Sequence, residues 1–277
     1  GTHNMTIFGK AVAEILHGRP VRYSYMNGGS GGGRQSLAEA QFYPNDYDGI
    51  WASCPAINWT QFLASGLWAV TVMNEYDHIL GFHKINAFRD AVHNSVGGKE
   101  NYFQVEERID FDPYTILGQK TKGGKITEKD CLVMQEIWKG PHTTGNDFLW
   151  YSFLPGGTFW NKIIPIGSFY YPLIGKRPKC FSLVEQYVHL AFEDPKKDLL
   201  HLKIRDFEKV FDTCIRKLGW LSCDHADLRP FANAGGKLII DHGLDDPLIP
   251  VEGTIDYYHH MREIHGGQNF IDRFCRL

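Results

Sequence analysis

The sequence predicts an α/β protein, because strand-like and helix-like runs alternate at both ends of the chain. Near the start, residues 21–25 alternate apolar and polar side chains, as a strand does, and the helix-forming run 35–41 follows them. The apolar run at 47–55 predicts the next short, buried strand, and apolar residues at helical spacing predict a helix over 59–73.

The same alternation returns near the end of the 277-residue chain. A helix is predicted at 206–217, followed by a glycine-initiated strand at 235–241 and a second helix at 254–265 with Thr254 as its N-cap. Residues 269–277 predict a further strand. Another helix, amphipathic and capped by Gly18, is predicted at the N-terminus, with Ile7, Val12, Ile15 and Leu16 on one face.

The glycine-rich turn between the first strand and its helix indicates chemistry. Gly28, Ser30 and Gly32 fit the G-x-S-x-G pattern that holds a nucleophilic serine at the end of a strand in α/β-hydrolases. We expect strained backbone angles at Ser30, and we expect side chains on the neighbouring glycines to clash with the strand and helix. The helix N–H groups after Ser30 would face a developing oxyanion.

Two other interpretations of this turn are a flexible linker and a phosphate-binding loop. A linker rarely has an aromatic strand-like run on one side and a helical run on the other. A phosphate loop needs a lysine after its glycines, whereas this turn offers only Arg34 at the helix start.

Composition limits the class of partner. Charged residues are 22% and hydrophobic residues 43% of the chain, and the net charge of −3 gives no electrostatic reason to expect nucleic acid or an anionic membrane. No apolar run is long enough to span a bilayer. The six cysteines include no C-x-x-C pair, which argues against a zinc knuckle and permits, without requiring, up to three disulfides.

The middle of the chain loses the alternating rhythm. We predict a lid insertion over residues 83–205 between two parts of the α/β core at 1–82 and 206–277, with one helix at 127–139 inside the insertion. Its aromatic residues either form the insertion's own core or line a pocket for a ring-bearing substrate. They are Phe148, Trp150, Tyr151, Phe153, Phe159, Trp160, Phe169, Tyr170 and Tyr171.

A catalytic serine needs an acid and a histidine. Asp245 and Asp246 follow the strand at 235–241, where an α/β-hydrolase keeps its acid, although a turn aspartate fits the spacing too. The later histidines are His259 and His260, inside the predicted helix, and His265 at its end, where a histidine is more often a helix-end cation. We therefore expect the chain to be a fragment of a longer enzyme, with its histidine beyond Leu277.

Several segments resemble the tannase and feruloyl esterase family of α/β-hydrolases. The matching segments are 23–35 (YSYMNGGSGGGRQ), 39–44 (EAQFYP), 47–50 (YDGI), 111–113 (FDP), 140–141 (GP), 227–228 (DL), 235–239 (GGKLI), 242–243 (HG), Asp246, 249–250 (IP) and 257–258 (YY). The resemblance implies Ser30 as nucleophile, the Gly31 N–H as an oxyanion donor, Asp246 rather than Asp245 as the acid, and the insertion as a lid over an aromatic-acid pocket.

The sequence also departs from the family pattern. Relatives commonly carry a cysteine where this chain has Gly29, bonded to a cysteine after the catalytic histidine. Many relatives bind calcium through a D-G-x-x-D-G loop in the lid, whereas this chain has GGKENY at 97–102, so we expect no metal there. Relatives are mostly secreted, but the missing cross-links leave the compartment undecided.

The resemblance implies a serine carboxylic-ester hydrolase that acts on small esters of hydroxycinnamic or gallic acid and needs no cofactor. We expect the 277-residue chain by itself to have little or no activity. The alternatives are a remnant that binds an aromatic ligand without catalysis, and a truncated, poorly folded piece.

Overall fold

The computed structural model describes residues 1–96, 109–152, 154–157, 171–174 and 177–277. The chain divides into a first unit, residues 1–59, 220–243 and 251–277, and a second unit, residues 60–219 and 244–250. The predicted division into a core at 1–82 and 206–277 and a lid at 83–205 stays a prediction.

The helices and strands are numbered in chain order. The α-helices are α1 (Thr2–His17), α2 (Gly31–Phe42), α3 (Trp59–Ser65), α4 (Trp68–Glu75), α5 (Phe82–Ser95), α6 (Glu128–Lys139), α7 (Ser182–Phe192), α8 (Ile204–Leu218), α9 (Arg229–Asn233), α10 (Val251–Ile264) and α11 (Gln268–Ile271). The strands are β1 (Tyr25–Gly29), β2 (Gly49–Ser53), β3 (Lys120–Thr121), β4 (Gly124–Lys125), β5 (Tyr171–Ile174), β6 (Arg177–Lys179), β7 (Lys237–Asp241) and β8 (Cys275–Arg276).

The first unit is built on a parallel sheet with the strand order β1-β2-β7-β8. Gly29 pairs with Ser53, and Ser53 pairs with Asp241, so the carboxyl ends of β1, β2 and β7 lie side by side. The three segments that leave these strands therefore begin at the same edge of the sheet.

Alternation along the strands decides which face of this sheet is buried. Ile50 and Ala52 of β2 and Leu238 and Ile240 of β7 join one core with residues of α2 and α10, such as Leu37 and Met261. On the opposite face, Trp51 is 48% and Ile239 54% exposed. The period of two residues that predicted these strands thus corresponds to one buried face.

Helix α1 was predicted correctly, but its apolar residues do not attach it to the rest of the first unit. It ends at Gly18, which takes the left-handed conformation with φ 64°. The apolar residues Ile7, Val12, Ile15 and Leu16 are exposed. The helix is held instead by polar contacts, from Thr6 to the Tyr47 hydroxyl and from Lys10 to the backbone carbonyl of Asp46.

Four other predicted boundaries were wrong. Helix α2, predicted at 35–41, begins at Gly31 inside the glycine-rich turn. Strand β1 begins at Tyr25, because pairing with β2 starts there, opposite Gly49. Helix α10 begins at Val251, so Thr254 lies buried inside the helix, where its hydroxyl contacts His242 Nδ1 at 2.8 Å, rather than capping it. The segment predicted as a single strand at 269–277 begins with the last residues of α11 before β8.

Helices dominate the second unit. The run predicted as one helix at 59–73 forms α3 and α4, and the indole of Trp68 in α4 packs edge-on against Phe207 of α8, with 5.0 Å between ring centroids. Helix α6 was predicted well, because Thr127 and Asp130 form a reciprocal capping box at its start.

No disulfide links the six cysteines, all of which lie among the described residues. Among the residues that the structure describes, no helix has both the length and the apolar character that crossing a bilayer requires.

The Asp130 carboxylate is fully buried and fully bonded. It accepts hydrogen bonds from Lys84 Nζ at 2.6 Å, from His78 Nε2 at 2.8 Å and from the Thr127 backbone N–H at 2.7 Å. Burial alone would raise the pKa of Asp130, but these bonds outweigh burial and hold the pKa below its ordinary value.

We expect Asp130→Asn to lower the free energy of unfolding by about 3 kcal/mol at pH 7, because Lys84 loses its buried counter-ion. Because the pKa of Asp130 is lower in the folded state, the ionised carboxylate stabilises the fold at pH values above the group's ordinary pKa. This stabilisation is lost as the pH falls through the folded-state pKa. Urea unfolding should therefore show a smaller difference at pH 3 than at pH 7. Glu128→Gln, an exposed change in the same turn, is the control; an equal loss there would contradict the assignment.

Candidate active site

Ser30 occupies the turn between β1 and α2 with φ 57° and ψ −120°. Positive φ is rare for a residue with a Cβ, so this conformation is strained. Backbone hydrogen bonds hold it. The Ser30 N–H donates to the Ser53 carbonyl at 3.0 Å, and the Ser30 carbonyl accepts from the N–H groups of Arg34 at 3.0 Å and Ala56 at 3.1 Å.

The glycines around Ser30 are not equivalent. A Cβ added at Gly28 would overlap the Gly32 carbonyl, and one at Gly33 would lie 2.7 Å from the Ser53 carbonyl oxygen. A Cβ at Gly29, Gly31 or Gly32 would meet nothing within 4 Å. The expected clash is therefore confirmed at Gly28 and wrong at these three glycines, and it also occurs at Gly33, one residue beyond the G-x-S-x-G pattern.

The Ser30 side chain is exposed, and within the described residues its hydroxyl has no hydrogen-bond partner. Gly31 is the first residue of α2, so its N–H is one of those that a helix leaves without an internal acceptor. The fold thus places a serine hydroxyl beside the positive end of a helix, where negative charge on a nearby oxygen is stabilised.

Side chains on α2 anchor the elbow to a distant segment. Arg34 donates from Nη1 to the Leu221 carbonyl at 2.9 Å, and its guanidinium lies 4.9 Å from the ring centre of Trp59. Gln41 donates to the Cys223 carbonyl at 2.9 Å. Sequence reasoning considered Arg34 only as a phosphate ligand, because nothing in the spacing links α2 to residues more than 180 positions later.

A second cluster lies at the carboxyl ends of β2 and β7, and sequence reasoning missed it. The Asp241 carboxylate accepts hydrogen bonds from the Trp51 indole N–H and from the Ser53 hydroxyl, the latter at 2.9 Å. The carbonyl of Ser53 accepts the N–H of Ser30. Ser53 therefore bonds both to the elbow and to the Asp241 carboxylate. The paired register of β2 and β7 brings these residues together.

Asp246 belongs to the second unit. Its Oδ1 accepts the backbone N–H groups of Leu248 at 2.8 Å and Ile249 at 2.9 Å, which fixes the carboxylate in a tight turn. The neighbouring Asp245 is exposed. This difference accords with the expectation that Asp246 rather than Asp245 is the acid, but the role of Asp246 stays a prediction.

None of the three later histidines contacts the Ser30 hydroxyl within the described residues. His259 and His260 are exposed on α10. The His265 ring is buried, donates from Nδ1 to the Met261 carbonyl at 2.7 Å, and packs on Phe270 at 5.1 Å between ring centroids. Its Nε2 lies 3.7 Å from Asp227 Oδ1, so His265 is a buried histidine at the end of α10, the helix end at which it was predicted.

Two features of the predicted lid fall wholly or partly outside the described residues. The segment at 97–102 that replaces the calcium loop is one of them. Among the aromatics, Trp150 is buried, whereas Phe148 is exposed and stacks edge-on against Tyr151 at 5.0 Å. Phe153, Phe159, Trp160, Phe169 and Tyr170 are not among the described residues.

A parallel sheet that carries a strained serine between a strand and a helix defines an α/β-hydrolase fold. The chain belongs to the tannase and feruloyl esterase family, whose pattern it matches over residues 1–148. It is 32% identical to a probable feruloyl esterase of Arthroderma benhamiae over 99% of this chain and 52% of that protein. It is 25% identical to feruloyl esterase C of Talaromyces stipitatus over 99% of this chain and 51% of that protein.

Solved structures share the fold. Feruloyl esterase B from Aspergillus oryzae superposes with a TM-score of 0.78 at 20% identity, over 99% of this chain and 54% of that one. Tannin acyl hydrolase from Aspergillus niger superposes with a TM-score of 0.76 at 23% identity, over 97% of this chain and 52% of that one. The chain thus spans about half the length of the relatives it matches.

We expect Gly28→Ala and Gly33→Ala each to lower the melting temperature by several degrees, because both changes push backbone atoms apart. Gly32→Ala is the matched control and should leave stability unchanged or raise it by roughly 0.5–1 kcal/mol, since alanine suits a helix better than glycine. Thermal unfolding of the three variants measures this. Equal effects at all three positions would contradict the steric account.

Proposed function

We propose that the protein is a serine carboxylic-ester hydrolase of the tannase and feruloyl esterase type. The observation that carries the proposal is the strained, exposed Ser30 at the start of α2. The proposal concerns the whole protein, because the chain spans about half the length of its relatives.

In this mechanism the Ser30 hydroxyl attacks the ester carbonyl and forms an acyl-serine, which water then hydrolyses. The Gly31 N–H, at the positive end of α2, stabilises the oxyanion of each tetrahedral intermediate. Asp246, held by two backbone N–H groups, orients the histidine that takes the serine proton. We assign no described histidine as that base, since none contacts the Ser30 hydroxyl.

The names of the relatives indicate the substrate class. Feruloyl esterases and a tannin acyl hydrolase are among them, so we propose esters of hydroxycinnamic or gallic acid as substrates. As part of this proposal, residues 83–205 form a lid whose aromatic side chains contribute to the acid-binding pocket.

We expect Ser30→Ala in the whole protein to lower the hydrolysis of methyl ferulate and methyl gallate by at least about 1000-fold and to abolish labelling by a fluorophosphonate. Ser182→Ala, an exposed serine at the start of α7, is the matched control and should retain full activity. The 277-residue chain alone should turn over slowly or not at all, because a serine without a base is a weak nucleophile.

Ferulate binding that survives Ser30→Ala, with no fluorophosphonate labelling of the unaltered protein, would instead support an aromatic-ligand-binding protein without catalytic activity. Robust ester hydrolysis by the Ser30→Ala variant would refute the assignment of the nucleophile.

Substitutions at two neighbouring aspartates, Asp245 and Asp246, test which of them is the catalytic acid. We expect Asp246→Asn to lower kcat/KM by about 100- to 10,000-fold, because the histidine loses the carboxylate that fixes its tautomer. Asp245→Asn removes the same charge one residue earlier and should change kcat/KM by less than about threefold. Initial rates with methyl ferulate measure both. A larger loss at Asp245 would transfer the role to that residue.

A further inference from the structure

Three ionisable side chains that the esterase chemistry does not use meet in the first unit. His3 comes from α1, Glu39 from α2, and Asp46 from the loop before β2. One potential ligand atom from each lies within 4.8 Å of the others. The closest pair is His3 Nδ1 and Asp46 Oδ2, at 2.6 Å.

The burial of Glu39 is a second, independent observation at this cluster. The residue is only 4% exposed, and its Oε2 is buried with no hydrogen-bond partner among the described residues. Its carboxyl group faces the carboxyl group of Asp46. Burial and a hydrogen bond with Asp46 raise the pKa of Glu39. Two carboxyl groups that face each other in this way are costly unless they share a proton or a positive charge lies between them.

We propose that His3, Glu39 and Asp46 bind a divalent transition-metal ion of the zinc type. One imidazole nitrogen and two carboxylate oxygens are a ligand set that such ions accept, whereas calcium and magnesium prefer oxygen alone. With metal–ligand bonds of about 2.1 Å, tetrahedral ligands are roughly 3.4 Å apart. The His3–Asp46 pair would have to open by less than about 1 Å to reach this spacing, and none of the three ligand atoms lies more than 4.8 Å from another.

The surroundings favour such an ion and give it access. The His3 ring stacks on Tyr43 at 3.9 Å with an interplanar angle of 11°, which fixes the imidazole plane. The His3 side chain is 29% exposed and that of Asp46 13%, so the ion can enter from solvent. Lys10 binds the Asp46 backbone carbonyl, and the Gly1 ammonium also acts on Glu39, so a bound ion would compete with two positive charges for the two carboxylates.

A bound ion would join α1 to the C-terminal half of α2 and to the loop that leads into β2. The exposed apolar side of α1 contributes little to this attachment. The proposed role is therefore structural and does not rest on the esterase activity.

The test uses metal-free protein titrated with zinc chloride at pH 7.5. We expect one tightly bound zinc ion per chain by calorimetry and elemental analysis, removed by EDTA, and a rise in melting temperature of roughly 3–6 °C. His3→Gln, Glu39→Gln and Asp46→Asn should each abolish both effects. His17→Gln on α1 and the exposed Glu263→Gln are the matched controls and should retain both.

Glu39→Gln separates a metal ligand from a merely structural residue. In EDTA it should leave the melting temperature unchanged or raise it, because it removes one of two like charges, yet zinc should no longer raise it further. Zinc binding that is equal in Glu39→Gln and Glu263→Gln would mean an adventitious ion elsewhere and would overturn the proposal. The absence of zinc binding to the unaltered protein would also overturn the proposal. If Glu39→Gln is then more stable than the unaltered protein, the two carboxyl groups share a proton instead.

Discussion

The hydrogen bond from the Ser30 N–H to the Ser53 carbonyl is the contact on which the candidate site depends, because it closes the elbow against the neighbouring strand. A residue in a strained backbone conformation costs about 1–3 kcal/mol. Each of the three backbone bonds made by Ser30 contributes about 0.5–1.5 kcal/mol net, so together they offset the strain. The turn is therefore over-determined, and Ser30 cannot relax without breaking the contacts at the ends of β1 and β2.

The parallel register extends this constraint across the sheet. Gly29, Ser53 and Asp241 are aligned, so the residues that come after the three strands start from one edge. Open α/β sheets place their sites at this edge for the same reason. The Asp241 carboxylate adds side-chain hydrogen bonds between β7 and β2. It thereby stabilises the end of β2, where the Ser53 carbonyl accepts the Ser30 N–H.

Local patterns predicted those parts of the fold that local contacts stabilise. Helix α2 begins in the glycine-rich turn, α6 begins at the Thr127 capping box, and β7 shows its period of two residues. At 21–24 the same alternation was misleading, since a strand exists only where a partner strand pairs with it. The apolar residues of α1 are exposed, and the sequence could not predict this, because an amphipathic pattern shows which face is apolar and not whether another element covers it.

The candidate site, like the fold, was predictable from the sequence only where it is formed by residues that are close together in the chain. Ser30 and Gly31 could be found because the elbow is a short local motif. The contacts of Arg34 with Leu221 and of Trp51 with Asp241 could not, since each joins residues nearly 190 positions apart. Only the folded register decides which distant carbonyl or carboxylate a given donor meets.

Ser30 and Asp246 are each fixed by their own backbone surroundings. The serine is held by bonds to Ser53, Arg34 and Ala56 in the first unit, and the aspartate by the N–H groups of Leu248 and Ile249 in the second. Groups that are already oriented require no reorganisation when charge develops during reaction. Each proposed catalytic group is therefore held by backbone contacts within its own unit.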